Sequence, residues 1–191
     1  MTHRIGVIGA GGIAEVHAIA IREAGHEVAA ICDVDLTKAQ ALAAQCGAEA
    51  LGDLDVLLAD ESVGSVVVAV PNCLHSPLAV KALDAGKHVL LEKPMATSVS
   101  ECDAVIEAEA RNAGLVQMGF VCRCAATTLS AMEVIESGRL GRVYHAKATM
   151  YRRRGIPGLG RWFTTKAESG GGVLIDLGPH LVDLVLHMTG R

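Results

Sequence analysis

Aromatic side chains are nearly absent: the 191 residues include one Trp, two Tyr and two Phe, 3% in all. A core built without them has to be aliphatic and rich in alanine, as the cores of α/β folds often are, and the 51% hydrophobic content supplies the material. Positive charge is also short. Lys and Arg number 17 against 21 Asp and Glu, a formal net charge of −4, which gives no general attraction for nucleic acid or an anionic membrane. The one basic cluster, Arg152-Arg153-Arg154, reads as a local anion or carboxylate contact rather than a nucleic-acid patch. No run approaches the roughly 20 apolar residues that span a bilayer. The small-residue stretch after Arg4, which could pass for a leader, is interrupted by Glu15 and His17. A soluble cytoplasmic protein is expected. The six cysteines lack framework spacing, and Cys122 and Cys124 are too close to form a zinc or redox pair, so reduced core thiols and no metal are expected.

What is present begins with the stretch from Arg4 to Ala14, a short buried strand running into a glycine-rich turn and then a helix. Gly9 allows the tight turn, Gly11 allows backbone to approach a phosphate, and small Ala14 lets the helix pack close to the strand. Backbone N–H groups near Gly12 and Ile13 then point at an anion, most simply a dinucleotide pyrophosphate. A second apolar run, Glu27 to Cys32, ends at Asp33, roughly 20 residues beyond Gly11, where a ribose-binding acid is expected. A carboxylate there accepts ribose hydroxyls and repels a 2′-phosphate, which favours NAD over NADP. Asp35 is read as the cap of a helix from Leu36 to Cys46.

Further units follow in alternation. A strand is expected near Ala48 to Leu51, a helix over Leu54 to Ala59, and a buried strand over Ser65 to Val70 that ends at Pro71-Asn72-Cys73-Leu74-His75. Pro71 and Asn72 either border the nicotinamide half of a cofactor or simply end a strand and start a helix. His75 is open between a helix-start hydrogen bond and a cofactor contact. After a helix over Pro77 to Ala85, a strand over Lys87 to Leu91 delivers Glu92-Lys93-Pro94 to the same sheet edge. Lys93 there is either a functional ammonium or a turn lysine paired with Glu92. A helix over Thr97 to Ala113 and a sixth strand over Leu115 to Phe120 complete a doubly wound parallel sheet, with the first domain placed at residues 1–122.

Residues 123–191 are expected to form a second domain. A helix over Thr127 to Glu136 precedes an alternating stretch, Val143 to Tyr151, read as a half-exposed strand. The loop from Gly155 to Ser169 carries Trp162, either a pocket wall or a packing anchor. Gly170-Gly171-Gly172 then leads to Asp176, Pro179 and His180. Proline requires either a distorted helix or a new one starting near Gly178. Asp183 and His187 are read as structural or surface groups.

Three separated signatures, Val7 to Ala14 with Asp33, Glu92-Lys93-Pro94, and the glycine triplet followed by Asp176 and His180, together resemble the glucose–fructose oxidoreductase, inositol dehydrogenase and MocA family of NAD(P)-dependent oxidoreductases. Val70-Pro71-Asn72 with His75 fits the same pattern. The resemblance implies a Rossmann domain followed by an α+β domain with an open, mostly antiparallel sheet, acting on a sugar or polyol. It implies that Lys93 holds the reacting hydroxyl, that His180 is the acid/base with Asp176 beside it, and that Lys93–Pro94 is a cis bond. It also implies that Pro71, Asn72, His75, Glu92 and Lys93 border the cofactor, with Arg123 contacting substrate. Family members continue well beyond Arg191, so the second domain is expected to be incomplete. A fragment, an interrupted product, or a chain that pairs with a complementary segment or a second copy would each account for that. The leading expectation is an NAD-dependent sugar or polyol dehydrogenase. A non-catalytic dinucleotide-binding remnant and an NAD-using glycosidase or epimerase are the competing ones.

Overall fold

Short segments too brief for a helix become strands where neighbouring strands take their backbone hydrogen bonds, and six of them do so here. In this computed structural model, which describes residues 2–151, 153 and 161–190, the strands are β1 Arg4–Ile8, β2 Glu27–Cys32, β3 Glu49–Leu51, β4 Ser65–Val68, β5 His88–Leu91 and β6 Val116–Met118. They form one parallel sheet in the order β3-β2-β1-β4-β5-β6. The crossovers are α1 Gly12–Glu23, α2 Leu36–Cys46, α3 Leu54–Ala59, α4 His75–Asp84 and α5 Val99–Arg111.

Alternation along β4 shows why both faces are apolar: Val66 and Val68 enter one core with Leu57, Leu83 and Val105, while Val67 enters the other with Ala14, Ala18 and Ile31. Neither core contains an aromatic ring; alanines at helix–sheet contacts let the layers approach closely. Local signals end the helices as their chemistry requires. Asp35 accepts the Lys38 N–H at the start of α2, and Gly47, at φ +70°, closes it. Ser98 accepts the Glu101 N–H at the start of α5, while the Glu101 carboxylate reaches back to the Thr97 N–H.

The chain folds as two compact units, Met1–Met118 and Gly119–Arg191. Residues 119–122, expected to finish the first domain, therefore fold with the second. They lead into a 3-10 turn over Val121–Cys124, whose Cys122 carbonyl accepts the Thr128 hydroxyl from α6, Ala126–Glu136. The rest of the second unit holds a 3-10 turn over Trp162–Thr164, α7 Lys166–Ser169, α8 Val173–Asp176 and α9 Gly178–Thr189.

The expected strand over 143–151 does not form: the described residues of the second unit contain no strand, and Tyr144 and Tyr151 are 90% and 94% exposed. Alternation creates a strand only where a neighbour takes its backbone hydrogen bonds, and no described segment of this unit does so. Arg152, Arg154 and residues 155–160 of the expected loop lie outside the described residues. Among the described residues no single helix is long and apolar enough to cross a membrane.

Candidate active site

In the first unit, strand order reverses between β1 and β4, the switch point at whose carboxyl edge open parallel sheets bind ligands. Gly9 opens the first loop at φ +103°, with its N–H donated to the Cys32 carbonyl; a Cβ there would lie 2.3 Å from the Ala69 carbonyl oxygen. That glycine is demanded by the protein's own backbone. Gly11 and Gly12 are different, because a Cβ on either would meet nothing within 4 Å. The space above them is open, and Gly11 caps α1 with no side-chain hydrogen bond, so the first-turn N–H groups of exposed Gly12 and Ile13 have no side-chain acceptor. Ala14 is fully buried against the sheet, as the tight helix packing requires. A depression of about 170 Å³ bounded by Gly11, Gly12, Glu15, Lys38 and Gln45 continues from this loop between α1 and α2.

Asp33, at the end of β2, accepts the Ala10 N–H on Oδ2 and the Asp35 N–H on Oδ1, both at 2.8 Å. Two bonds use about half of a carboxylate's four acceptor positions. The remaining ones suit vicinal hydroxyls, while the two occupied ones fix the carboxylate beside the glycine loop. An uncapped helix start, open glycines and a fixed acid together fit a dinucleotide.

Two further strand ends lie at the same sheet edge. Pro71 precedes a 3-10 turn, Asn72–Leu74, in which Asn72 is buried. Lys93, half-buried, follows β5, and Lys93–Pro94 is cis, as the resemblance implied. His75 is 1% exposed, with Nδ1 2.5 Å from the Pro94 carbonyl and Nε2 3.0 Å from that of Val70. Neither carbonyl belongs to the start of α4, which has no side-chain cap; the ring sits between the turns after β4 and β5. Burial lowers its pKa below the ordinary 6.5 and outweighs the two carbonyls, which pull the other way. A group that stays neutral when folded but protonates when unfolded costs stability as pH falls through its unfolded pKa. Wild-type stability is therefore expected to decline as pH falls through the ordinary histidine range, a decline that urea titrations should find smaller in His75→Gln.

Glu92 is tied to a residue that the sequence reading passed over. Its Oε1 lies 2.8 Å from His17 Nε2, and its Oε2 accepts the Lys93 N–H at 3.3 Å. Burial pushes the Glu92 carboxyl up, but the His17 bond and the charges of His17 and Lys93 outweigh it and hold the group below its usual range. The available signal was positional: His17 lies three residues after Ala14 on the stripe that buries Ala14, Ala18 and Ile21.

In the second unit, Gly170 closes α7 at φ +81°, and Gly171 and Gly172 lead into α8. Pro179 occupies the first turn of α9, where its missing N–H costs nothing, and the helix axis turns by 43° at Leu177. A new helix starting at Gly178 is thus the observed solution. Asp176 ends α8, and His180 lies in the first turn of α9, both half-buried. Trp162 packs on Phe163 with ring centroids 4.5 Å apart.

Arg123, for which the resemblance implies a substrate contact, is paired with Asp183 within the second unit. Its Nε donates to both Asp183 oxygens, at 3.0 and 2.8 Å, its Nη2 also meets Oδ1, and the guanidinium lies over the Phe120 ring. Asp183 is 5% exposed, which makes it structural as read, and the pair anchors α9 to the turn at Val121–Cys124. Removing the arginine strands a buried carboxylate. Arg123→Ala is expected to cost about 2 kcal/mol, reduced from the fully buried case because the arginine is itself half-exposed, and urea unfolding of the second unit measures it.

Residues 3–120 match an oxidoreductase family with an NAD-binding Rossmann fold, GFO/IDH/MocA, and residues 128–191 match the GFO/IDH/MocA C-terminal domain. The chain is 35% identical to the D-glucoside 3-dehydrogenase of Escherichia coli K12 over 98% of its own length and 54% of the relative's. It is 34% identical to the inositol 2-dehydrogenase of Salmonella typhimurium LT2, over 82% of this chain and 48% of that one. Among solved structures, GenD2 from gentamicin A biosynthesis, in complex with NAD, superposes with a TM-score of 0.86 at 28% identity, over 99% of this chain and 54% of GenD2. The chain spans about half the length of the curated relatives it matches.

Proposed function

We propose, from the premise that the chain belongs to the GFO/IDH/MocA family of NAD-binding oxidoreductases, that it oxidises a secondary hydroxyl of a sugar or polyol with NAD as hydride acceptor. The observation that carries this reading is the pairing of an open, uncapped glycine turn with a carboxylate fixed beside it, while Lys93 follows the end of β5 at the same sheet edge. The named relatives act on a glucoside and on inositol, which supports a polyhydroxylated substrate.

The first-turn N–H groups of Gly12 and Ile13 bind the pyrophosphate, with Ala14 packing that turn against the sheet, Asp33 takes the adenosine ribose, and Pro71 and Asn72 border the nicotinamide half. Glu92 and His75 serve that site indirectly, by holding the Lys93-Pro94 turn. Bound dinucleotide supplies hydride acceptance. The protein's part is placement and charge. His180, in neutral form, takes the hydroxyl proton, Asp176 orients the imidazole or a substrate hydroxyl, and the Lys93 ammonium stabilises the developing alkoxide.

NAD over NADP follows from Asp33, whose charge opposes a 2′-phosphate. Asp33→Ala is expected to weaken NADH binding by about tenfold, the scale of one lost hydrogen bond to a charged group, and to relax discrimination against NADPH. Fluorescence titration with both cofactors measures this. The function itself is tested by titrating the purified chain with NADH and then assaying NAD reduction with a panel of sugars and polyols. Binding with turnover supports the proposal, and absence of NADH binding overturns it.

A further inference from the structure

His17 and Glu92 bridge two parts of the site that are 75 residues apart in sequence. The imidazole projects from the second turn of α1, the helix whose start is the open glycine loop. The carboxylate sits at the end of β5, immediately before Lys93. Both side chains are shielded, 17% and 19% exposed, so their 2.8 Å contact is screened less than a surface pair.

Helix α1 needs no such bond to stay in place, because Ala14, Ala18 and Ile21 already bury it against the sheet. The second oxygen of Glu92 shows where the constraint goes: it accepts the N–H of Lys93 itself, and the Glu92 N–H is donated to the Val68 carbonyl. One carboxylate thus connects α1, through His17, to the backbone of the lysine.

We propose that His17 is a positioning residue that, through Glu92, fixes the Lys93 turn relative to the start of α1. A dinucleotide gripped at one end by the glycine loop then meets the Lys93 ammonium at a set distance from its other end. Assigning ligands to those two ends rests on the proposed function; the clasp itself is a property of the protein alone. On the opposite flank, His75 holds the Pro94 carbonyl, so the turn is gripped from α1 and from α4.

The test compares His17→Ala with His17→Gln, because the glutamine Nε2 can reach the oxygen that histidine Nε2 now meets. Amide hydrogen exchange read by NMR in the unliganded protein is expected to be about tenfold faster at Lys93 in His17→Ala, with Val67 and Leu90 unchanged within about twofold. His17→Gln is expected to restore slow exchange at Lys93. NADH affinity is expected to stay within about twofold, as it does for Lys93→Ala, while turnover falls about fivefold in the alanine variant and recovers in the glutamine variant, and adding Glu92→Gln to His17→Ala should cause no further loss. Unchanged Lys93 exchange in His17→Ala overturns the inference. So does faster exchange shared by Val67 and Leu90, which would mark general loss of stability, and so does failure of glutamine to restore either readout. Should the alanine variant not fold, His17→Asn, polar but too short to reach Glu92, takes its place under the same criteria. If wild-type protein binds no NADH, the proposed function fails, and the exchange measurements still decide the clasp.

Discussion

Turnover of a Lys93→Ala variant is expected to fall by about 10²–10³-fold, or about 3–4 kcal/mol, with NADH affinity nearly unchanged. Alcohol oxidation removes a proton from oxygen and a hydride from the adjoining carbon, so negative charge collects on the oxygen as the bond to carbon changes. An ammonium held half-buried after β5 stabilises that charge where water screens it poorly. The dinucleotide's phosphates and ribose depend on other groups, the α1 N–H donors and Asp33, and this is why binding should survive. Lys93→Arg is not expected to rescue turnover, because a planar fork does not reproduce a compact point charge. Steady-state rates beside NADH titrations separate the two effects. Turnover within about threefold of wild type would remove Lys93 from the chemistry.

Gly9→Ala is expected to destabilise the first unit by about 3–5 kcal/mol, combining a backbone strained at positive φ with a forced overlap. The φ of +103° disfavours any side chain, and the new Cβ would lie 2.3 Å from a backbone carbonyl that cannot rotate away, since Ala69 is itself bonded to Ile8 through its N–H. Gly12→Ala provides the contrast. Its Cβ meets nothing, so stability should stay within about 1 kcal/mol while NADH binding weakens, because the methyl group enters the space assigned to phosphate. Urea unfolding and NADH titration of the two variants therefore separate a glycine required by the fold from one required by the ligand. Equal stability losses would mean that the open space above Gly12 does not exist in solution.

Much of the first unit was legible because its signals are local. The strand, turn and helix that begin at Arg4 and the Asp35 cap all act within a few residues along the chain. The break before α9 was legible for the same reason, since Pro179 acts on its own turn. The alternation over 143–151 misled because it describes a strand's faces and says nothing about a partner.

By itself the sequence determined the order of strands and helices in the first unit, the parallel sheet that such alternation makes, and the edge at which Gly11, Asp33, Asn72 and Lys93 emerge. Only the tertiary structure decided what individual polar side chains do there. His75 became a buried link between two turns, Arg123 closed on Asp183 sixty residues away, and His17 met Glu92 across seventy-five. Periodicity and caps are properties of neighbours along the chain. A side chain's partner depends on which distant backbone the packed sheet brings within hydrogen-bonding reach.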